Sequence, residues 1–401
     1  MREDQLLSFE LFAGAGGLAL GTEIAGFRSQ GTIEWDKCAC RTIRINAQDG
    51  FPLVKNWNVH EMDVREFQWS SIAEEIDLLA GGPPCQPFSI GGIAKAYEDS
   101  RDMFPSMIAA VRSIKPRAFL VENVKGLLRA QFSDYYQYIL LRLEFPERVI
   151  RPDETWPEHL HRLQQAKSSS PQSRYELTYN VIPTLVNAAD YGVPQKRERV
   201  FIVGFRSDLG IEWSFPEPTH SLDSLRWTKR IGGEYWEKHK IPVGMQNSRA
   251  RNSIPPHDKK LPWRTVRDAL VGLPDPKETD SSGFHNHILK TGAKVYPGHT
   301  GSILDMPSKT LKAGVHGVPG GENMFIQDCG TPRYYTVREA ARIQTFPDGY
   351  KLDGSWSEAM RQLGNAVPVL LAQKVAASIG EAIILNEINH RSKRKAMRLS
   401  S

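Results

Sequence analysis

One cysteine, Cys85, stands in the run Gly81-Gly82-Pro83-Pro84-Cys85-Gln86-Pro87-Phe88-Ser89, directly after the apolar stretch Ile76-Asp77-Leu78-Leu79-Ala80. A short buried strand that stops at glycines and then presents a thiol is how an open α/β sheet displays a nucleophile at its carboxyl edge. The plainer role of a free cysteine is to fill a core as a small apolar residue. The surroundings of Cys85 are turn-forming, not apolar, and the prolines fix the backbone approach, which favours the chemical role. A second candidate site is the glycine turn Phe9-Glu10-Leu11-Phe12-Ala13-Gly14-Ala15-Gly16-Gly17-Leu18. Gly14, Gly16 and Gly17 permit a ligand to approach backbone at a helix N-terminus. The third glycine of a dinucleotide-binding GxGxxG is missing from its place, which disfavours a nicotinamide or flavin enzyme. Glu34 can bond ribose hydroxyls, and Trp35 and Phe12 offer flat faces for a base, although each aromatic could equally be core.

The elements that must carry these groups read as a regular alternation. Strand-like runs cover Leu6–Phe12, Gly31–Trp35, Val59–Val64, Ile76–Ala80 and Ala118–Val121, with helical runs at Leu18–Ala25, Lys37–Ala47 and Met107–Ile114 between them. Such βαβα order predicts an α/β, Rossmann-like, mostly parallel sheet with helices on both faces. Tyr135–Leu143 and Pro157–Ala166 are helical by pattern, the polar stretch around Lys167–Gln172 reads as a surface insertion, and Tyr175–Val186 and Arg199–Phe205 read as the last strands. From Asp208 to about Gly330 the chain is rich in Pro, Gly, Ser, His and Trp, which predicts a smaller, irregular, mostly-β lobe. Helical pattern returns at Val337–Gln344 and Val367–Asn389, with Gly364 and Asn365 opening the last helix. The expected division is 1–206, 207–330 and 331–401, the last returning to the first domain and ending in a basic tail.

The 401 residues carry 51 Lys and Arg against 46 Asp and Glu, so the net charge of +5 would not by itself indicate nucleic acid. Its distribution says more: residues 225–270 hold 11 basic against 4 acidic side chains. Trp227, Tyr235, Trp236 and Trp263 lie among them, and cations interleaved with flat rings suit a polyanion surface, the alternative being a solvated loop region. Four scattered cysteines give neither a disulfide framework nor zinc spacing, so a reducing, cytoplasmic setting without a metal is expected. The charged N-terminus shows no signal peptide, and no apolar stretch reads as a membrane span.

The Pro83-Pro84-Cys85-Gln86 word, the Phe9–Leu18 loop, Glu122-Asn123-Val124, Gln195-Lys196-Arg197-Glu198-Arg199 and Gly364-Asn365-Ala366-Val367 stand in the order and rough spacing of the DNA cytosine-5 methyltransferases, and the chain resembles that family over most of its length. The resemblance implies S-adenosylmethionine as cofactor and double-stranded DNA as substrate. It gives Cys85 the role of nucleophile toward carbon 6 of cytosine. Glu122 would bond ring nitrogen 3 and the exocyclic amine, protonated or sharing a proton; Arg199 would hold the 2-oxo group, with Arg197 supporting the site. On the cofactor side, Asp63 would read the adenine amino group and Asn365 would approach the amino-acid end. The implied surface also takes in Ala13, Leu18 and Val64, and extends to Gly81, Pro83, Phe104 and Ala366. Glu10 departs from the family, which more often has Asp there.

Because the reacting edge of cytosine lies inside the duplex stack, the base must be extruded. The segment Gly91–Arg101 would cover it, with Lys95 and Arg101 as phosphate partners and Gln86 and Ser89 near the DNA. By resemblance, the stretch between Arg199 and Arg333 is the target-recognition region, and His316 could touch base or phosphate or only stabilise a turn. A compact, monomeric bacterial-type enzyme is expected, acting in the nucleoid alone or beside a restriction endonuclease of the same site. A transfer-RNA methylase of the same fold is the alternative; that branch carries a Cys-Phe-Thr word in its recognition region, and none occurs here. A catalytically silent DNA-binding relative would be expected to have lost Cys85, Glu122 or Arg199.

Overall fold

The computed structural model describes residues 5–84, 102–168, 176–231, 233–246, 258–277, 283–313 and 323–399, with only the backbone described beyond 392. In chain order the elements up to residue 206 are β1 (Leu7–Leu11), α1 (Gly17–Ile24), β2 (Arg28–Glu34), α2 (Lys37–Gln48), β3 (Val59–Glu61), β4 (Leu78–Gly81), α3 (Phe104–Ile114), β5 (Ala118–Val124), α4 (Ser133–Glu144), α5 (Trp156–Ser168), β6 (Tyr179–Asn187) and β7 (Glu198–Arg206). The strands form one seven-stranded sheet in the order β3-β2-β1-β4-β5-β7-β6. The sheet is parallel except for β7, which runs against both β5 and β6. Strand β1 and strand β4 are buried throughout, as strands covered on both faces must be. Their order reverses between β1 and β4, and a crevice for ligands opens beyond the carboxyl ends of strands at such a switch point. The glycine turn leaves β1 there, and Gly82-Pro83-Pro84 leaves β4 beside it.

Two apolar layers close the sheet. On one face Phe104, Met107 and Val111 of α3 and Tyr138 and Ile139 of α4 pack on Phe9, Leu11 and Phe119. On the other, Leu18 joins the last helix, α11 (Val369–Leu399), over Leu78, Leu120 and Phe201. α1 and α11 touch closely because of glycine: a Cβ on Gly21 would stand 2.4 Å from Ala372 Cβ. α11 also contributes to an 18-residue window within Trp356–Ser392 that is apolar enough, by length and composition, to cross a membrane. That corrects the reading of no such stretch. Over half of this window is buried inside the protein, which accounts for its apolarity.

Beyond β7 come β8 (His220–Ser221), α6 (Leu222–Arg230), α7 (Glu234–Lys238), β9 (Leu261–Pro262), α8 (Val266–Leu270), β10 (Ser302–Ile303), β11 (Met324–Ile326) and β12 (Pro332–Tyr334). The described residues of this lobe thus carry three short helices along with short strands. Tyr235, Trp236 and Trp263 are buried together with Leu225 and with Ala189, from the turn before β7, in one small apolar cluster. Lys229 folds over the rings of Tyr235 and Trp236. These rings are therefore not the polyanion-stacking faces that their spacing among cations implied; packed together, they bury surface instead.

The chain returns through α9 (Val337–Ile343) and α10 (Trp356–Asn365). Gly364 and Asn365 close α10, rather than opening the last helix, because Pro368 keeps Val367 out of helical conformation. α11 then starts with Ala372 N donating to Pro368 O at 3.0 Å.

Candidate active site

The glycine turn is built from two left-handed residues and a carboxylate. Gly14 and Gly16 have φ of 53° and 82°. Glu34, at the end of β2, accepts from Gly14 N at 2.7 Å with one oxygen and from Trp35 N at 2.9 Å and Asp36 N at 2.8 Å with the other. Burial pushes its carboxyl up, and the three N–H bonds oppose that. Glu10 lies wholly within the protein, one strand away, with Oε2 unbonded, and burial first and Glu34 second hold its carboxyl well above the usual range. From below, Tyr350 donates to Ala15 O at 2.9 Å. From the side, the segment leading into α11 approaches tightly: a Cβ on Gly17 would stand 2.5 Å from Val367 O. A Cβ on Gly14 would meet nothing within 4 Å. Trp35 is 65% exposed beside it.

These observations fit an adenosine cofactor: open space above Gly14, a free indole face, a carboxylate at the ribose position and an orphaned carboxylate oxygen. The remaining residues expected there divide. Ala13 lies at the turn, its N donating to Ile33 O at 3.2 Å, and Phe12 adopts φ 58°. Asp63 caps a short turn by accepting from Arg65 N at 2.9 Å, and the Arg65 guanidinium holds its carboxyl below the usual range. Leu18, Val64 and Phe104 are buried in the apolar layers. Gly81 permits the close β1–β4 approach, and Ala366 is buried while Asn365 is exposed at the end of α10.

Across the crevice, Glu122 on β5 and Arg199 on β7 meet. Arg199 Nε lies 3.0 Å from Glu122 Oε1, without the alignment of a hydrogen bond, so Oε1 keeps a lone pair for another donor. Burial lowers the Arg199 pKa, and the Glu122 charge opposes this. Asn123 was not singled out from sequence, yet its Nδ2 donates to Pro83 O at 3.0 Å and pins the loop leaving β4 to β5. The signal was its place between Glu122 and Val124. Arg197 is 1% exposed and donates to Gly364 O at 2.9 Å, tying the approach to β7 to the end of α10. Burial drives its pKa down, with Arg199 adding to the effect. Gln195 and Gln344, also not singled out, are both fully buried and bonded to each other at 2.8 Å.

The sequence matches the C-5 cytosine-specific DNA methylase family over residues 6–145 and 161–381. The chain belongs to this family. The methylase is 33% identical to the type II methyltransferase M.PspPI of Psychrobacter sp. (strain TA137), covering 94% of this chain and 78% of that protein. It is 31% identical to M.NgoMIV of Neisseria gonorrhoeae, covering 94% and 98%. Among solved structures, it shares the fold of a prophage-encoded DNA modification methyltransferase of E. coli, with a TM-score of 0.58, 22% identity and coverage of 94% and 99%. The S. pombe Dnmt2 methyltransferase gives 0.54, 18%, 94% and 99%. The family uses S-adenosylmethionine, and the mixed α/β fold and enzyme class expected from the sequence are those found.

In this methylase Cys85, Gln86, Ser89, Lys95, Arg101 and His316 lie outside the described residues. Both flanks of 85–101 are firmly held. Pro83 is bonded by Asn123, and Asp102 accepts from Phe104 N at 3.1 Å and from the Tyr135 hydroxyl. Asp36, Cys38 and Glu358 approach one another closely enough for a metal, but Arg361 bonds both carboxylates, at 2.8 and 2.7 Å, and supplies the positive charge.

Proposed function

We propose that this methylase acts on a cytosine swung out of duplex DNA at a specific sequence, with Cys85 as nucleophile. Carbon 5 of cytosine is a poor nucleophile until the ring is made electron-rich. The Cys85 thiolate adds to carbon 6, and the electron pair so released passes into the ring toward carbon 5 and nitrogen 3. Glu122 bonds nitrogen 3 and the exocyclic amine and favours that charge, sharing a proton, while Arg199 holds the 2-oxo group. Bound S-adenosylmethionine supplies an electrophilic methyl; Glu34 would hold its ribose, Trp35 its adenine, and the turn 13–17 its amino-acid end. Carbon 5 takes that methyl as the cofactor departs as its neutral thioether; carbon 5 then loses its proton to a base, the bond from carbon 6 to the Cys85 sulfur breaks, and Cys85 leaves as thiolate.

The observation that carries this reading is the Glu122–Arg199 pair at 3.0 Å beside a Pro83 loop fixed by Asn123. By the same reading the methylase is a monomer of the bacterial nucleoid, working alone or beside a nuclease of the same site. The test is transfer of labelled methyl from S-adenosylmethionine to plasmid DNA by wild type and Cys85→Ser, with sequencing of the modified positions. Transfer by wild type alone, at cytosines in one sequence context, is expected. Retained transfer by the serine variant removes the covalent route, and preference for transfer RNA over duplex DNA removes the substrate.

A further inference from the structure

A buried chain of amide hydrogen bonds joins the far end of the second lobe to the turn beside the cofactor crevice. Residues 308–311 run beside 194–196: Ser308 N donates to Pro194 O at 2.9 Å, Lys196 N to Ser308 O at 2.8 Å, and the Thr310 hydroxyl to Lys196 O at 2.7 Å. Leu311 N donates to Gln195 Oε1 at 3.0 Å. Gln195 Nε2 donates to Gln344 Oε1 at 2.8 Å. Gln344 Nε2 donates to Ala366 O at 3.1 Å and to Leu363 O. Gln195 and Gln344 are 0% exposed, so water does not substitute for any link.

The relay has only one polarity. The carbonyls of Leu363 and Ala366 can only accept, so Gln344 must turn its NH2 to them and its oxygen to Gln195. Gln195 must then donate to Gln344, which leaves its own oxygen for Leu311 N–H, a group that can only donate. No amide can flip without stranding a buried group at each end. Two further features show that the junction is fixed against cost. Thr345, next to Gln344, is β-branched yet has φ 59°, a strained conformation. Its hydroxyl accepts from Leu370 N at 2.9 Å, while Gln344 O accepts from Val369 N at 3.0 Å, so the pair also caps the start of α11. At Gly364 the two segments touch directly, since a Cβ there would stand 2.4 Å from Ala313 N.

We propose that Gln344 is a positioning residue that couples the DNA side of the methylase, at 308–313, to the cofactor side, at 364–366, so that duplex DNA and S-adenosylmethionine tighten each other's binding. This rests on the proposed function for what occupies each end. A displacement of Leu311 by DNA reaches Ala366 through two amides that have no alternative partner, and linkage makes the effect reciprocal.

The test uses the full chain and a short duplex carrying the methylated sequence mapped from plasmid DNA. Dissociation constants for S-adenosylmethionine are measured with and without that duplex. In the wild type the duplex should tighten cofactor binding about tenfold, within the usual range of such couplings. Gln344→Met keeps the side chain's length and removes its hydrogen bonds, and should bring the factor below about twofold. A merely structural residue would lower stability while leaving the wild-type factor in place, and that result overturns the proposal. A second measurement needs no variant: S-adenosylhomocysteine alone should slow amide exchange at Leu311 in the wild type by about tenfold. Unchanged exchange there also overturns it. A wild type that methylates no DNA sinks the functional reading instead, whereas one that methylates DNA without coupling sinks only this inference.

Discussion

Glu122 and Arg199 sit on antiparallel neighbours β5 and β7, with Glu122 opposite Phe201 and Arg199 opposite Val124, so the two side chains meet across a two-residue offset at 3.0 Å. The offset places both at the carboxyl end of β5, next to the loop leaving β4. Under the proposed function these paired charges face the base where charge develops. Arg199→Ala is expected to lower turnover by about a hundredfold or more while S-adenosylmethionine affinity stays within about twofold. Single-turnover methylation and equilibrium cofactor binding measure the two separately; lost cofactor affinity with turnover kept would place Arg199 on the wrong side of the crevice.

Asn123 gives a second, independent test of the proposed site. Asn123→Ala leaves the Pro83 carbonyl without its donor, at a stability cost of about 1–3 kcal/mol. The larger effect should be on kcat, since Pro83, two residues before the proposed nucleophile Cys85, loses its tie to β5. Melting temperature and kcat compared with Asn123→Asp, which cannot donate, check this: equal, wild-type kcat in both variants would contradict it.

The glycines of the cofactor turn should fail for different reasons. Gly17→Ala drives a methyl to 2.5 Å from Val367 O and should destabilise by about 1–3 kcal/mol or more. Gly14→Ala meets no atom but must hold φ near 53°, a cost of about 1–2 kcal/mol. Its methyl projects into the open space and should weaken cofactor binding. Thermal melts with and without S-adenosylhomocysteine distinguish them: Gly14→Ala should lose the ligand's stabilising shift more than Gly17→Ala.

Acid should loosen the helical flank at α5. His159 is fully buried, bonded to the Tyr138 hydroxyl at 2.8 Å and to Arg148 O at 2.9 Å, and burial lowers its pKa to about 4. The unfolded chain, with an ordinary histidine near 6.5, binds more protons than the folded one between those values, so stability falls as pH drops through that window. A loss on the order of 1–2 kcal/mol by pH 4 is expected. His159→Gln, titrated alongside the wild type by thermal melts, should flatten that part of the profile; an identical slope would assign the acid loss elsewhere.

Strand β1, the glycine turn and the acid at the end of β2 were legible in the sequence because local rules govern them: apolar runs make covered strands, and glycines make left-handed turns. The five motif words in order were enough to indicate the family, as the match over most of the chain bears out. Helix α10 was not legible: the sequence pattern shows no helix before Gly364 and Asn365, which it assigns to the start of the last helix, whereas they end Trp356–Asn365. The aromatic residues of the second lobe were misread for a related reason. Sequence shows that Tyr235, Trp236 and Trp263 lie among cations, but not whether rings face outward or one another, and burial decided for one another.

The amino-acid sequence by itself determined which chemistries are available: a thiol after a strand, a carboxylate and arginines in short polar words, and a glycine turn after the first strand. Those are properties of residue type and near-neighbour spacing. Only the tertiary structure decided that Asn123 grips Pro83, that Arg197 reaches Gly364 and that Gln195 meets Gln344, partners 40, 167 and 149 residues apart. Such pairings depend on how sheet, lobe and last helices stack. Each buried polar group then had to find whichever complementary atom the stacking brought near, and no local pattern encodes that choice.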